Sequence, residues 1–289
     1  YGNLLSAEVD RIVLTARISP DSITPSINRL ESKAENCQDK ALASIYYCVI
    51  GDAYDALEGT AGFGNAGAKK KLAYYKAMEN PDALAKCSAL SYQPLMKKGV
   101  DSKIFNNDLL SVIGYKTECF DTLNKYYDKA GNRTAAMLTA LEQTKVYKNS
   151  AEWTNNFKAN GNAYLAKLDS LIKIYGDLPE CGELALERYQ YMNRCSDVEQ
   201  GQKAEYINMA LKRWANWRNT PQLKSEYEKL TQPMFGVNIP DALLPNVADT
   251  ITADARNIKE LNIALTRLNL SGSTYLNAYD NKDWNKLKP

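Results

Sequence analysis

A chain of 289 residues is long enough to bury one large core or two smaller ones, and its formal net charge of +2, spread without a basic block, gives no nucleic-acid footprint. It contains no histidine, which excludes histidine-based triads, histidine metal sites and a histidine pH switch from this chain. No run of about 18 apolar residues occurs, so no transmembrane helix is expected.

The first 18 residues read as a helix or an extended arm, and Ser19, Pro20 and Pro25 punctuate the chain before a helical stretch from Ser26 to Ala34. Gln38 to Leu57 is the clearest early helix, with Leu42, Ile45, Val49, Tyr54 and Leu57 on one face. Within it, Tyr47-x-x-Ile50-Gly51-x-x-Tyr54 resembles the first-helix consensus of a tetratricopeptide repeat, in which the glycine lets a neighbouring helix approach closely. The second half of that consensus is missing. Gly62, Gly64 and Gly67 formally spell G-x-G-x-x-G, but a dinucleotide fingerprint needs a strand before it, and here a helix precedes. The segment reads as an interhelical loop, with Lys69, Lys70 and Lys71 as a solvated helix start.

Asp82 to Lys98 reads as another helix, with Pro81 before it and Gly99 closing it. From Asn106 to Lys145 the pattern gives three short helices, folding back at Gly114-Tyr115 and at Gly131-Asn132. Thr117 is the expected N-cap of the middle helix, with Glu118 in its first turn and Phe120, Leu123, Tyr126 and Tyr127 on its apolar face. Gly131 supplies a left-handed C-cap, and Asn132 caps a helix whose buried side is Ala135, Leu138 and Leu141. A polar patch from Lys148 to Asn162 carries Trp153 and Phe157. Ala163 to Tyr175 is amphipathic, with Leu165, Leu168, Leu171, Ile172 and Tyr175 as its buried set; Glu180 to Asn193, Lys203 to Trp217 and Thr220 to Leu230 follow as helices.

The pattern changes at Pro233. After Pro240 and Pro245, the segments Thr250 to Arg256 and Leu261 to Leu265 alternate with the period of strands, and a phase shift near Arg267-Leu268 marks a bulge. The expected architecture is therefore mainly α. An antiparallel helix-hairpin array, tetratricopeptide-like and right-handed superhelical, covers residues 1–232, and a short β segment covers 233–289. The 19 tyrosines against 5 phenylalanines suit such an array, where many positions are half-buried.

No paired carboxylates stand at a spacing that points to acid–base catalysis, and neither a cofactor nor a metal site is expected. Trp214, Trp217 and Arg218 form the candidate partner-binding patch, since two Trp and an Arg match the composition of binding hot spots. The competing reading is that both Trp residues close the end of the helical core. The six cysteines are Cys37, Cys48, Cys87, Cys119, Cys181 and Cys195, with no CxxC among them. Cys181 and Cys195 bracket one predicted helix, too far apart to bridge. Cys87 and Cys119 lie on separate predicted helices and can meet as a disulfide; otherwise the cysteines are free and serve as small buried hydrophobes. The start at Tyr1 rather than Met fits a processed chain, one form of which is an exported protein with its signal removed.

Phe105 to Gly114, with Tyr126-Tyr127, Gly131-Asn132-Arg133 and Ala135-Ala136, resembles the N-terminal helical region of large alpha-2-macroglobulin-like proteins, specifically exported ones of Gram-negative bacteria of the Bacteroidetes group. Two further stretches agree in order: Leu168 to Leu171 with Tyr175 to Pro179, and Ala255 to Ile258 with Leu261 and Leu268, which look like the opening strands of a macroglobulin-type β-sandwich. The resemblance implies a bacterial cell-envelope protein, periplasmic or lipid-anchored, that traps proteases through parts lying beyond this chain. No Cys-x-x-Gln thioester motif occurs here. The partners so implied are downstream domains of the same polypeptide, another envelope protein or a protease. The alternative expectation is a free-standing tetratricopeptide-like envelope protein that binds peptide or glycan.

Overall fold

The computed structural model describes residues 2–18, 23–59, 62–93, 95–97, 99–150, 158–238, 250–262, 270–283 and 285. The chain is mainly helical and carries a short antiparallel ribbon towards its C-terminal end. It divides into two compact units, residues 1–227 and 228–289.

In the first unit the helices are α1 (Gly2–Ile18), α2 (Ile23–Glu35), α3 (Lys40–Ala56), α4 (Ala66–Ala77), α5 (Pro81–Ala85), α6 (Leu109–Lys116) and α7 (Phe120–Lys129). They continue with α8 (Arg133–Ser150), α9 (Ala163–Tyr175), α10 (Gly182–Asn193), α11 (Gln200–Arg213) and α12 (Thr220–Thr231), whose end enters the second unit. Packing is chiefly between sequence neighbours: α3 lies against α2 and α4, α7 against α8, α8 against α9, α9 against α10, and α10 against α11.

Capping explains where several helices start. The Asp39 carboxylate accepts from Ala41 N at 2.9 Å and Leu42 N at 3.2 Å, so α3 begins at Lys40. Asp108 does the same for α6 through Ser111 N at 2.8 Å, and Asn162 for α9 through Leu165 N at 3.0 Å. Asn132 Oδ1 accepts from Ala135 N at 3.2 Å, the cap expected for α8, and Gly131 before it takes φ +74°. The expected apolar faces are largely buried: Ile45, Val49, Tyr54 and Leu57 in and after α3, Phe120, Leu123 and Tyr127 in α7, and Leu165, Leu168, Leu171 and Tyr175 in α9. Leu42, Tyr126 and Ile172 are half-buried.

Four expectations are corrected. The chain does not fold back at Gly114-Tyr115. Helix α6 runs through both to Lys116, because Gly114 is where α7 crosses: a Cβ there would stand 2.4 Å from Leu123 Cδ2. The turn lies at Thr117–Cys119 instead. Thr117 ends α6, its hydroxyl donating to Ile113 O at 2.9 Å, and Glu118 takes a left-handed φ of 55°, outside the first turn of α7.

The helix expected over Asp82 to Lys98 stops at Ala85, and among the described residues of that span it is followed only by a 3₁₀ turn at Ala89–Tyr92. Leu109 N donates to Cys87 O at 2.8 Å and Ala89 N to Asn107 O at 3.0 Å, so a non-local bridge takes the backbone groups a helix would use. Asn106 and Asn107, both left-handed at φ 55° and 54°, turn the intervening loop back towards α6.

In the second unit, β1 (Met234–Asn238) pairs antiparallel with β2 (Thr252–Arg256), Met234 opposite Arg256 and Asn238 opposite Thr252. The partner of the Thr250–Arg256 segment is thus Met234–Asn238, a stretch read as a transition, and Leu261 and Asn262 are not in a strand. Asn257, at φ 56°, donates to Leu230 O at 2.7 Å and Gln232 O at 3.0 Å and so fixes the C-terminal carbonyls of α12 against the ribbon. A further helix, α13 (Gly272–Asp280), was not anticipated. The expected features at Ser19-Pro20, Trp153, Phe157, Pro240, Pro245, residues 263–265 and Arg267-Leu268 lie outside the described residues.

Candidate functional site

A cleft of about 640 Å³ opens between the loop that carries Leu95 to Phe105 and the outer face of α6. That size lies within the range of small-ligand sites. Its apolar lining includes Met96 and Phe105, 1% and 3% exposed, together with Val112 and Tyr115. The floor is rigid because its aromatic rings interlock edge to face: Phe105 with Tyr115 at 5.5 Å, Phe105 with Tyr127 at 5.3 Å, and Tyr115 with Phe120 at 5.3 Å. Beneath them the Tyr127 hydroxyl donates to both oxygens of buried Asp108, at 3.0 and 2.9 Å, and Asn132 Nδ2 donates to Ile104 O at 2.8 Å. The helix cap, the loop and the α7–α8 turn therefore hold one another.

The charges around the cleft are mostly engaged. Asp101 is held by Arg218, and the Lys116 ammonium stands 2.5 Å from Asp52 Oδ2 on α3. Asp52 also accepts from the Tyr74 hydroxyl of α4 at 2.8 Å. Burial, with Glu142 and Asp101 nearby and only Arg218 opposing, raises the pKa of the Tyr115 phenol well above its ordinary value, so it stays a neutral donor. Ser102 is 8% exposed, and among the described residues neither its hydroxyl nor that of Tyr115 has a hydrogen-bond partner; exposed Lys97 likewise has no ion pair.

The three residues of the expected partner-binding patch do not share a surface. Trp214 is 3% exposed, its Nε1 donating to Gly176 O at 3.1 Å and its ring covered by the Arg213 guanidinium at 4.9 Å. Burial with a satisfied indole N–H makes it a core residue. Trp217 is half-buried and donates to Glu183 Oε1 at 2.9 Å. Arg218 stacks on Trp217 at 5.0 Å and reaches Glu183 and Asp101, so it braces the cleft loop.

All six cysteines are free thiols. The expected Cys87–Cys119 disulfide is absent: the Cys87 backbone is fixed in the bridge to Leu109, and the Cys119 thiol lies 3.6 Å from Thr117 O. Burial raises the pKa of both. The Gly62–Gly67 segment connects α3 to α4, so helices flank it on both sides.

Sequence reasoning missed the cleft, because Leu95 to Lys98 were assigned to a helix. The one available signal was Asn106-Asn107-Asp108, a run of turn and cap residues. It also missed a closed cluster at the end of α8. There the Lys148 ammonium lies 2.9 Å from Glu187, over the rings of Tyr164 and Tyr191 at 5.4 and 5.8 Å, and the Tyr164 hydroxyl donates to Glu187 at 2.7 Å. That cluster is filled by the chain's own lysine.

Among the described residues no group of His, Cys, Asp and Glu could hold a metal ion, and no helix is long and apolar enough to cross a membrane. Comparison with protein-family models, with curated proteins and with solved structures finds no match in any of the three. The macroglobulin resemblance therefore rests on the three stretches of sequence alone.

Proposed function

We propose that this chain is a non-enzymatic docking module, a helical scaffold that offers the cleft beside α6 to a partner. One observation carries the reading. Asp101 and Lys116, the charged groups best placed for proton transfer at the cleft, are each tied into an ion pair that braces the fold, while the floor is apolar and the free hydroxyls are neutral. Such a lining suits binding.

The proposed setting is the N-terminal helical region of a large, cell-envelope alpha-2-macroglobulin-like protein, whose protease trapping would belong to downstream domains of the same polypeptide. What supports it is the sequence resemblance, together with the fact that its residues pack on one another. Phe105 touches Tyr127, and Arg133 reaches Asp177 Oδ1 at 2.9 Å and Ile174 O at 3.0 Å. Reading the natural coding sequence past Pro289 tests the setting. A frame that continues through successive β-sandwich patterns is expected, and a stop codon close by removes the macroglobulin reading.

A free-standing tetratricopeptide-like envelope protein, binding peptide or glycan, is the second reading. It is favoured by Gly51: a Cβ there would lie 2.1 Å from Tyr74 Cε1, so the glycine admits α4 against α3 in the way that consensus requires.

A further inference from the structure

We infer that the C-terminal unit closes on a second copy of this chain, the β1–β2 ribbon of each copy seated on helix α13 of the other. In an antiparallel ladder, directly opposed residues share a face. Phe235 stands opposite Ala255 and Val237 opposite Ala253, and Ile251, just before β2, continues that face by the two-residue period. The result is one wholly apolar face. It is open: Phe235 is 48%, Val237 45% and Ile251 53% exposed, and both alanines are exposed as well. The opposite face carries Asn238, Thr252, Asp254 and Arg256, with Met234 at its end. The ribbon is tied to the end of α12 by hydrogen bonds, from Arg256 Nη2 to Lys229 O at 2.8 Å and from Asn257. Those bonds leave the apolar face open to water.

A two-stranded ribbon is at best marginally stable alone, and a helix packed on its apolar face is one way to complete it. Helix α13 has the matching open side. Tyr275, Leu276 and Tyr279 fall in one stripe of its surface, 40%, 59% and 53% exposed, with the two tyrosine rings stacked at 6.1 Å. Sheet face and helix stripe are two halves of one layered core, yet both are wet in the single chain, so α13 does not serve its own ribbon. In a two-fold dimer each copy supplies the half the other lacks, and one contact made twice covers both. The area agrees. At about half exposure each of these six large side chains offers roughly 80 Å², so reciprocal burial in two copies removes roughly 1,000 Å², about the least a specific interface needs.

Sedimentation equilibrium of the full chain across micromolar concentrations tests the inference. A dimer that dissociates on dilution is expected. Phe235→Asp on the ribbon and Leu276→Asp on α13 each put a charge into the contact, and each is expected to raise the dissociation constant at least about tenfold. Thr252→Asp adds the same charge to the polar face of the same ribbon and is expected to stay within about twofold of the parent. All three positions are exposed, so the far-UV circular dichroism of each variant should match the parent's. In a mixture of isotope-labelled and unlabelled chains, filtered NOEs should join the Phe235 ring of one copy to Tyr279 of the other. A chain that stays monomeric at about 100 μM overturns the inference. So does a dimer that survives either contact substitution; loss with Phe235→Asp alone means ribbon packed on ribbon. An equal loss with Thr252→Asp overturns the choice of face. NOEs between Phe235 and Tyr279 within a monomer assign the helix to its own ribbon and overturn the second copy.

Discussion

The guanidinium of Arg218 grips both carboxylate oxygens of Asp101 across 117 positions of sequence, with Nη2 3.0 Å from Oδ2, and its Nε stands 2.6 Å from Glu183 Oε1. One side chain thus joins the cleft loop to the first turn of α10. The pairs are partly solvated, so each contributes about 0.5–1 kcal/mol. Asp101→Ala is expected to lower the free energy of unfolding by about 1 kcal/mol, and Arg218→Ala by more because it loses both acids. A double-mutant cycle in urea reads the coupling directly; additive losses for Asp101 and Arg218 would show that the bridge carries no stability.

Two glycines act as contact surfaces. Alanine at Gly114 must displace Leu123, and alanine at Gly51 must displace the Tyr74 ring, whose hydroxyl holds Asp52. Each substitution is expected to cost about 1–3 kcal/mol. Gly201, in the first turn of α11, faces open space, and Gly201→Ala is expected to hold or raise stability by up to ~1 kcal/mol. Thermal unfolding of the three variants should place Gly201→Ala at or above the parent and the other two well below it.

Glu187 sets an acid limit on the closed cluster. Burial alone would raise its pKa, but hydrogen bonds from Lys148 and Tyr164 and the lysine charges outweigh that, and it lies below the ordinary glutamate value of 4.5. A depressed carboxylate contributes stability that is fully present above about pH 4.5 and is lost as pH falls through the folded value. Glu187→Gln should therefore be less stable than the parent at neutral pH, and the gap should narrow below pH 4.5. A gap that stays constant from pH 7 to pH 3 would separate the loss from ionisation.

The thiols give an independent check on the cysteine arrangement. Six should titrate in denaturant without reductant, as the free cysteines require. In the native chain at pH 8, Cys48, Cys181 and Cys195 should react slowest, since all three are buried and burial pushes the first two up to about 12. A total of four in denaturant would point to a disulfide.

Local chemistry made the helical part legible. Asn132 capping α8 and the apolar faces of α3, α7 and α9 could be read directly, because period and cap lie within a few residues of one another. Non-local contacts decided the rest. Nothing near Gly114 in sequence distinguishes a turn from a crossing point, and only Leu123 on α7 settles it. The shortness of α5 follows from backbone bonds between residues 87–89 and 107–109, which no local pattern encodes. Trp214 and Trp217 share composition but not environment, since one meets Gly176 O and the other Glu183. The cleft was hidden for the same reason: its walls are a loop and a helix brought together by that bridge.

The chain's methionines include Met96 on the cleft floor, Met209 on the exposed side of α11 and Met234 on β1, which makes a ¹³C-methyl NMR titration with two apolar probes, octanol and an acetylated tripeptide ending in Phe, the most direct test of the cleft. The Met96 resonance should shift with saturation, while those of Met209 and Met234 hold their positions. A titration that leaves Met96 unmoved, whether or not Met209 or Met234 responds, would contradict the assignment of this cleft as the docking site.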